Sequence, residues 1–207
     1  MWTRRTRGFL RAEATGLGCV RPRSARRRAV IVPTMVVVVG IVSATLGCGA
    51  PEVIDRLLYP LRYEQIVRGH ARNYDLDPAL LAAVIYSESR FNTRAESSAG
   101  AIGLMQLLPT TARAIAVRTG GHAFVVGDLY VPEINIRYGA WYLRNLIDRY
   151  GDERTALAAY HAGPGNVDRW KKRGVGIQFP ETRAYVADVE HAKTIYADAY
   201  ADELGLR

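Results

Sequence analysis

Cysteine is scarce in this 207-residue chain: Cys19 and Cys48 are the only two, and none follows Cys48. A domain without cysteine has neither a disulfide framework nor a thiolate zinc cluster. The four histidines are scattered along the chain: His70, His122, His161 and His191. None belongs to the HExxH pair that a helical zinc site requires. We therefore expect no metal ion and no other cofactor.

The greater part of the chain also lacks an excess of either charge, although the whole chain carries +8. Residues 1–28 hold nine of the 28 Lys and Arg residues but only one of the 20 Asp and Glu residues, Glu13. The remaining residues are therefore neutral overall. A neutral domain offers no broad basic surface for a polyanion, so we expect no nucleic-acid partner.

One uncharged apolar run, AVIVPTMVVVVGIVSATL at residues 29–46, follows the basic stretch RPRSARRR. A basic region before an apolar run is typical of an export signal or a single membrane anchor. The run leads into TLGCG, which resembles a bacterial lipoprotein cleavage site and makes Cys48 a candidate for lipidation. The alternatives are an uncleaved anchor, for which the run is short and interrupted by Pro33, and a cleaved signal.

We therefore divide the chain into a leader, residues 1–50, and one domain, residues 51–207. A domain of this length buries an adequate core without cross-links. Each interpretation of the leader keeps its arginines in the cytoplasm and places the domain outside it. We expect an exported or membrane-tethered protein in the periplasm of a Gram-negative bacterium.

The pattern from Pro51 onward is helical. In the predicted helix at about 132–150, apolar residues recur every three or four positions and form one buried face: Ile136, Ala140, Leu143 and Ile147. We predict helices at about 61–73, 78–90, 109–118, 132–150, 153–161, 164–172 and 181–203. The only strand-like stretch is AFVVG, at Ala123–Gly127.

Glu88 stands at the end of an apolar run and shares a helix face with Leu81, Val84 and Ile85. A carboxyl group among core residues is partly stripped of water, which raises its pKa and favours the protonated form. A general acid needs that form near neutral pH. Considered alone, Glu88 has a simpler interpretation, as a solvent-facing residue in the last turn of a helix.

Three ordered motifs include or follow this glutamate. They are IYSESRFNTRAESSAGAIGLMQLLP at residues 85–109, AYHAGPG at 159–165 and FPETRAYV at 179–186. Together they resemble the soluble-type lytic transglycosylases, bacterial enzymes that cleave the glycan strands of peptidoglycan. The resemblance covers about residues 70–195. It implies a mainly α, lysozyme-like domain with a glycan-binding cleft.

The resemblance also implies roles for individual residues. Glu88 is expected to act as the catalytic acid and base, and further residues are expected to bind substrate: Ser97, Met105, Gln106, Tyr160, His161, Glu181 and Tyr185. Gly100 and Gly103 are expected to let the backbone approach a sugar. His161 departs from the family pattern, which has Asn there, and adds pH sensitivity if it contacts glycan. Each of these residues, taken alone, also has a structural interpretation in a turn, a core or a helix end.

A hydrolytic glycosidase usually needs two carboxylates, and no second acid lies in a motif as a credible nucleophile. The resemblance implies that the substrate supplies its own nucleophile, the 6-hydroxyl of N-acetylmuramic acid, and that a 1,6-anhydromuramic end forms without water. Two alternatives stay open: a hydrolase in which Glu181 or Asp128 orients water, and a non-catalytic wall-binding module. We expect peptidoglycan and, through the leader, the membrane as partners, and a monomer.

Overall fold

The computed structural model describes residues 50–207, with side chains from Glu52 onward. The helices are α1 (Ala50–Leu58), α2 (Glu64–Asn73), α3 (Pro78–Ser89), α4 (Pro109–Thr119), a 3-10 helix (Val126–Tyr130), α5 (Pro132–Tyr150), α6 (Glu153–Ala162), α7 (Pro164–Lys172), α8 (Pro180–Ala199) and α9 (Ala201–Leu204). Within these residues no helix is long and apolar enough to span a membrane. The predictions on the leader and on Cys48 lie outside the described residues.

Local sequence signals explain where the main helices begin and end. The Asp77 side chain accepts a hydrogen bond from the backbone N–H of Ala79 at 2.8 Å, and Pro78 occupies the first turn of α3. Asp152 caps α6 in the same way, through the N–H of Thr155 at 2.7 Å. Gly151 ends α5 at φ +81°, a left-handed conformation that favours glycine.

Two predicted elements differ from the structure. The strand at Ala123–Gly127 is wrong, because no strand forms there and the 3-10 helix begins at Val126. The Asp128 carboxylate holds that helix start by accepting the N–H of Val125 at 2.9 Å. The single C-terminal helix is also wrong: it breaks at Tyr200, whose φ of −129° separates α8 from α9.

Helix α3 lies at the centre of the domain and packs along α8. Every residue of α3 from Ala79 to Ile85 is buried, so this helix is apolar on all sides. Its last turn leaves the core, and Glu88 lies in that turn, partly exposed. The same helix therefore builds the core and carries a carboxyl group to the surface.

A second, smaller apolar cluster lies beside the main core. Its buried members are Ile102, Leu107, Ala112, Ile115, Ala116, Leu129 and Tyr138. This cluster anchors the segment 90–108, which links α3 to α4 and has no regular structure apart from isolated bridges of Ile102 with Glu96 and Leu107. We call this segment the linking loop.

Candidate active site

Glu88 is held by a phenol from a neighbouring helix. The hydroxyl of Tyr185, on α8, donates a hydrogen bond of 2.7 Å to Oε1 of Glu88. Burial raises the pKa of the Glu88 carboxyl to about 7, and the hydrogen bond from Tyr185 opposes this rise by stabilising the charged form. A carboxyl group with this pKa is able both to donate and to accept a proton near neutral pH.

Tyr185 keeps its proton, and remains a hydrogen-bond donor, near neutral pH. Burial, followed by the nearby Glu88 carboxylate, raises the pKa of Tyr185 well above its ordinary value. The Tyr185 ring also stacks on His161, with ring centroids 4.6 Å apart. Three of the predicted site residues, Glu88, Tyr185 and His161, therefore lie together.

Tyr160 reaches the site from α6 but does not bond Glu88. Its hydroxyl donates to the backbone oxygen of Met105 at 2.7 Å. Burial raises the pKa of Tyr160 well above its ordinary value, and the Glu88 carboxylate adds to this effect. Tyr160 therefore lies near Glu88 and fastens the linking loop to α6.

Gln106 ends the tight turn of the linking loop, at φ +47°. Its side-chain amide group donates to the backbone oxygens of Ala95 at 3.1 Å and of Gly103 at 2.9 Å. The side-chain oxygen of Gln106 is left to accept a hydrogen bond from a ligand. Behind the turn, the hydroxyl of Ser89 donates to the backbone oxygen of Leu104 at 2.8 Å.

Asn135, on α5, holds the linking loop in place, a role that the sequence analysis missed. It is fully buried, and its Oδ1 accepts the backbone N–H of Met105 at 2.8 Å. Its Nδ2 donates to the backbone oxygens of Ile102 at 3.0 Å and Leu129 at 2.8 Å. The one sign of this role in the sequence is a polar residue directly before Ile136, which the helical pattern predicts to be buried. Asn135 joins the linking loop, the 3-10 helix and α5 at one point.

Gly103 lies at the same point, where the linking loop, the 3-10 helix and α5 meet. It adopts φ +80°, and a Cβ at this position would overlap Nδ2 of Asn135 and the backbone oxygen of Leu129. The missing side chain of Gly103 makes room for Asn135, which is a reason for glycine at this position that the sequence analysis did not give. Gly100, at φ +79°, has open space around it.

The prediction that the Met105 side chain binds substrate needs correction. Its side chain is 0% exposed and packs against Gly139, where a Cβ would overlap the methionine sulfur. Met105 therefore contributes its backbone groups rather than an apolar surface for sugar. The exposed apolar side chain nearby is that of Leu108, which is 41% exposed and which the sequence analysis missed.

Two grooves meet at the stacked rings. One, of about 480 Å³, is lined by Glu181 and Tyr185 among others, and the second, of about 320 Å³, by Gln106, Leu108, Tyr160 and His161. The rings of Tyr185 and His161 lie between the grooves, next to Glu88. Tyr185 lines the first groove and His161 the second, so the stacked rings connect the two grooves, which we together call the trough.

Two of the predicted site residues, His161 and Ser97, have exposed side chains. His161 is exposed, and its Nδ1 lies 3.1 Å from the Thr182 hydroxyl. Partial burial lowers the pKa of His161, against the opposing effect of the Glu181 carboxylate. Ser97 is also exposed, and its hydroxyl accepts the N–H of Ala101 at 3.0 Å, so it stabilises a turn and does not bond Glu88.

Comparisons with known proteins identify the family of this chain. The family model described as "Transglycosylase SLT domain" matches residues 65–176. A soluble lytic murein transglycosylase of Salmonella typhimurium is 34% identical over 143 residues, 63% of this chain and 22% of the relative. A transglycosylase of Enterobacteria phage PRD1 is 43% identical over 108 residues, 52% of this chain and 37% of the relative. The chain thus spans well under half of these relatives.

A solved structure shows the same fold. The 70 kDa soluble lytic transglycosylase of Escherichia coli superposes with a TM-score of 0.67 at 29% identity, over 73% of this chain and 26% of that one. The predicted mainly α, lysozyme-like fold is therefore confirmed for the described residues.

Proposed function

Because the chain belongs to the SLT transglycosylase domain family, we propose that it is a lytic transglycosylase that cleaves peptidoglycan. The catalytic domain comprises residues 51–207, and residues 1–50 are an export leader or membrane anchor that places it in the periplasm. The observation that carries the proposal is Glu88: a carboxyl group with a pKa of about 7, bonded to Tyr185, which lines one groove of the trough.

Glu88 acts twice in the proposed reaction. In its protonated form it donates a proton to the glycosidic oxygen between N-acetylmuramic acid and N-acetylglucosamine, and the bond to the anomeric carbon breaks. The resulting carboxylate then removes the proton of the muramic 6-hydroxyl, whose oxygen bonds to the same anomeric carbon. The products are a 1,6-anhydromuramic end and a free N-acetylglucosamine end, and Glu88 regains its proton without water.

Tyr185 supports the second half of this cycle. After Glu88 has given up its proton, the donated hydrogen bond of 2.7 Å stabilises the carboxylate that must act as a base. Burial favours the protonated form, and the phenol favours the ionised one. The balance of these two effects suits one group that performs both proton transfers.

We assign substrate binding to the residues along the trough. The free side-chain oxygen of Gln106 suits sugar hydroxyls and acetamido N–H groups. Tyr160 and His161 line one side, with Leu108 as the apolar contact, and Glu181 lines the other. Ser97 is assigned a supporting contact from the exposed turn of the linking loop.

One observation favours a second candidate function, hydrolysis of the same bond. Glu181 lines the larger groove and is exposed, so its carboxylate is available to orient a water molecule. Asp128, the other acid considered, caps the 3-10 helix. The chemical form of the new chain end separates the two functions.

The test is mass spectrometry of purified peptidoglycan digested by the full chain, comparing wild type, Glu88→Gln and Glu190→Gln. Glu190 is an exposed residue of α8 paired with Arg154 and serves as the matched control. We expect anhydromuramic ends from wild type and the control, and at least a hundredfold fewer from Glu88→Gln. Reducing ends would instead indicate a hydrolase, and wall binding without cleavage would indicate a binding module.

A further inference from the structure

Helix α1 exposes a continuous apolar stripe. Four of its nine residues are large, apolar and more than half exposed: Val53 at 55%, Ile54 at 55%, Leu57 at 76% and Leu58 at 61%. The spacing i, i+1, i+4, i+5 places all four on one face of the helix. A stripe of this kind on a surface helix marks an interaction site.

The opposite face of α1 is fixed to the domain. Nη1 of Arg56 lies 2.6 Å from Oε1 of Glu203, and its guanidinium lies 4.5 Å from the centre of the Tyr200 ring. At the end of α1, the hydroxyl of Tyr86 donates to the backbone oxygen of Leu58 at 2.8 Å. The helix would have to break these contacts to turn its apolar stripe inward.

The position of α1 in the chain identifies what covers this stripe. The uncharged apolar run at residues 29–46 ends only three residues before α1, at the sequence Gly47-Cys48-Gly49. Three residues span about 10 Å at most when fully extended. Whether the run anchors the chain or Cys48 carries a lipid, α1 starts within this distance of the bilayer surface. Lipid is therefore the apolar phase nearest to the stripe.

We propose that α1 is an interfacial helix that lies on the membrane, with its apolar stripe in contact with lipid at the boundary of headgroups and acyl chains. This inference rests on the form of the proposed function in which the leader or a lipid on Cys48 tethers the chain to the membrane, but not on the catalytic activity. Tyr59, the residue after α1, and Tyr86 line the larger groove. Contact between α1 and the bilayer would therefore direct that end of the trough toward the membrane.

The test measures amide hydrogen exchange of α1 in the full chain, reconstituted in vesicles of phosphatidylethanolamine and phosphatidylglycerol. Wild type is compared with the double variant Ile54→Gln/Leu57→Gln. The matched control is Val117→Gln/Val125→Gln, which alters two valines that are 76% and 62% exposed elsewhere. We expect α1 amides of the double variant to exchange about tenfold faster than those of wild type and of the control.

A second measurement separates lipid contact from helix stability. The same variants are made in the fragment Cys48–Arg207, which forms one compact unit with its own core, and are measured in solution. The proposal requires the tenfold difference in vesicles and its absence in solution. An equal difference in both settings, or protection that rises with protein density because a second copy covers the stripe, would overturn it. Cleavage of peptidoglycan is scored independently, so the two proposals fail separately.

Discussion

The two sides of the trough are built in different ways. Glu88 and Tyr185 project from α3 and α8, two long helices that pack together through apolar side chains. Gln106 projects from the linking loop, whose backbone is held by hydrogen bonds with the side chains of Ser89, Asn135 and Tyr160. We refer to these two sides as the helical wall and the loop wall.

The difference determines how each wall responds to substitution. Apolar packing in the helical wall is spread over many contacts, so a single small change is partly absorbed. The loop wall depends on a few buried polar groups, and removing one leaves its partners unpaired, at about 1–3 kcal/mol for each. We therefore expect a single substitution in the loop wall to cause a larger loss of stability and activity than one in the helical wall.

The largest effect is expected from Asn135→Leu in the loop wall. This change keeps the side-chain volume but removes the bonds of Asn135 to the N–H of Met105 and the backbone oxygen of Leu129, whereas the backbone oxygen of Ile102 still accepts the N–H of Leu107. With two buried groups affected, we expect a loss of ~2 kcal/mol or more in the free energy of unfolding. Because Gln106 would then lose its fixed position, kcat should also fall at least about tenfold. Urea unfolding and cleavage assays measure the two effects.

The matched control for Asn135→Leu is Asn145→Leu on the same helix. Asn145 makes one hydrogen bond, to the backbone oxygen of Trp141, and is exposed. We expect this control to change the free energy of unfolding by less than about 1 kcal/mol. Equal effects of the two substitutions would contradict the role given to the loop wall.

The second largest effect concerns the helical wall, where the substitution is expected to stabilise the protein rather than destabilise it. The pKa of Glu88 rises from 4.5 to about 7 in the folded state, so folding is favoured when this group is protonated. Its contribution is complete below the unfolded pKa and is lost as the pH rises through about 7. We therefore expect Glu88→Gln to raise Tm by about 3 °C at pH 8 and to leave it unchanged at pH 4.

Thermal unfolding at these two pH values provides the measurement, and Glu190→Gln is again the control. A lower Tm of Glu88→Gln at pH 8, or the same shift at both pH values, would contradict the raised pKa of the Glu88 carboxyl group.

Tyr185→Phe is expected to shift the pH dependence of kcat/KM. The phenol stabilises the Glu88 carboxylate, so its loss raises the pKa of Glu88 further above 7. The fall in kcat/KM on the alkaline side should therefore move to higher pH by about half a unit to one unit. Tyr160→Phe, which removes a bond to the loop wall, should lower kcat without moving this limb. A limb that moves equally in both variants would contradict the division between the walls.

The smallest effect is expected from His161→Asn. His161 stacks on Tyr185 without bonding Glu88, and such ring pairs contribute ~0.5–1.5 kcal/mol. At pH 8 we expect kcat/KM to change by less than about tenfold, because the histidine is then neutral. Below pH 6 the variant should lose a pH dependence that wild type shows. Identical profiles across this range would mean that His161 does not contact substrate.

Glu88 of the helical wall could be predicted from the sequence because its signals are local, whereas Tyr185, 97 positions away, was expected only from the family resemblance. The apolar pattern, the cap at Asp77 and the spacing that directs Glu88 along a core face all lie within α3. The loop wall could not be predicted in this way. The bond between Asn135 and Met105 joins residues 30 positions apart, and no local pattern announces it.

Errors in the predicted elements have the same physical origin. The apolar stretch around Phe124 suggested a strand, but Phe124 packs against Tyr138 of the second cluster, with ring centroids 5.3 Å apart. The break at Tyr200 places its hydroxyl near the backbone of Arg56 and Leu61, at 3.3 Å from each partner atom. In both places, distant contacts override a local preference.

The close fit of Gly103 and Asn135 also restricts the order in which this sequence can change. Any side chain at position 103 meets the Asn135 amide group and the backbone oxygen of Leu129 at once. A smaller residue at position 135 would relieve only the first of these overlaps and would leave the linking loop unfastened. No single substitution at position 135 therefore makes room for a side chain at position 103, and a different residue there would require the backbone at Leu129 to move as well.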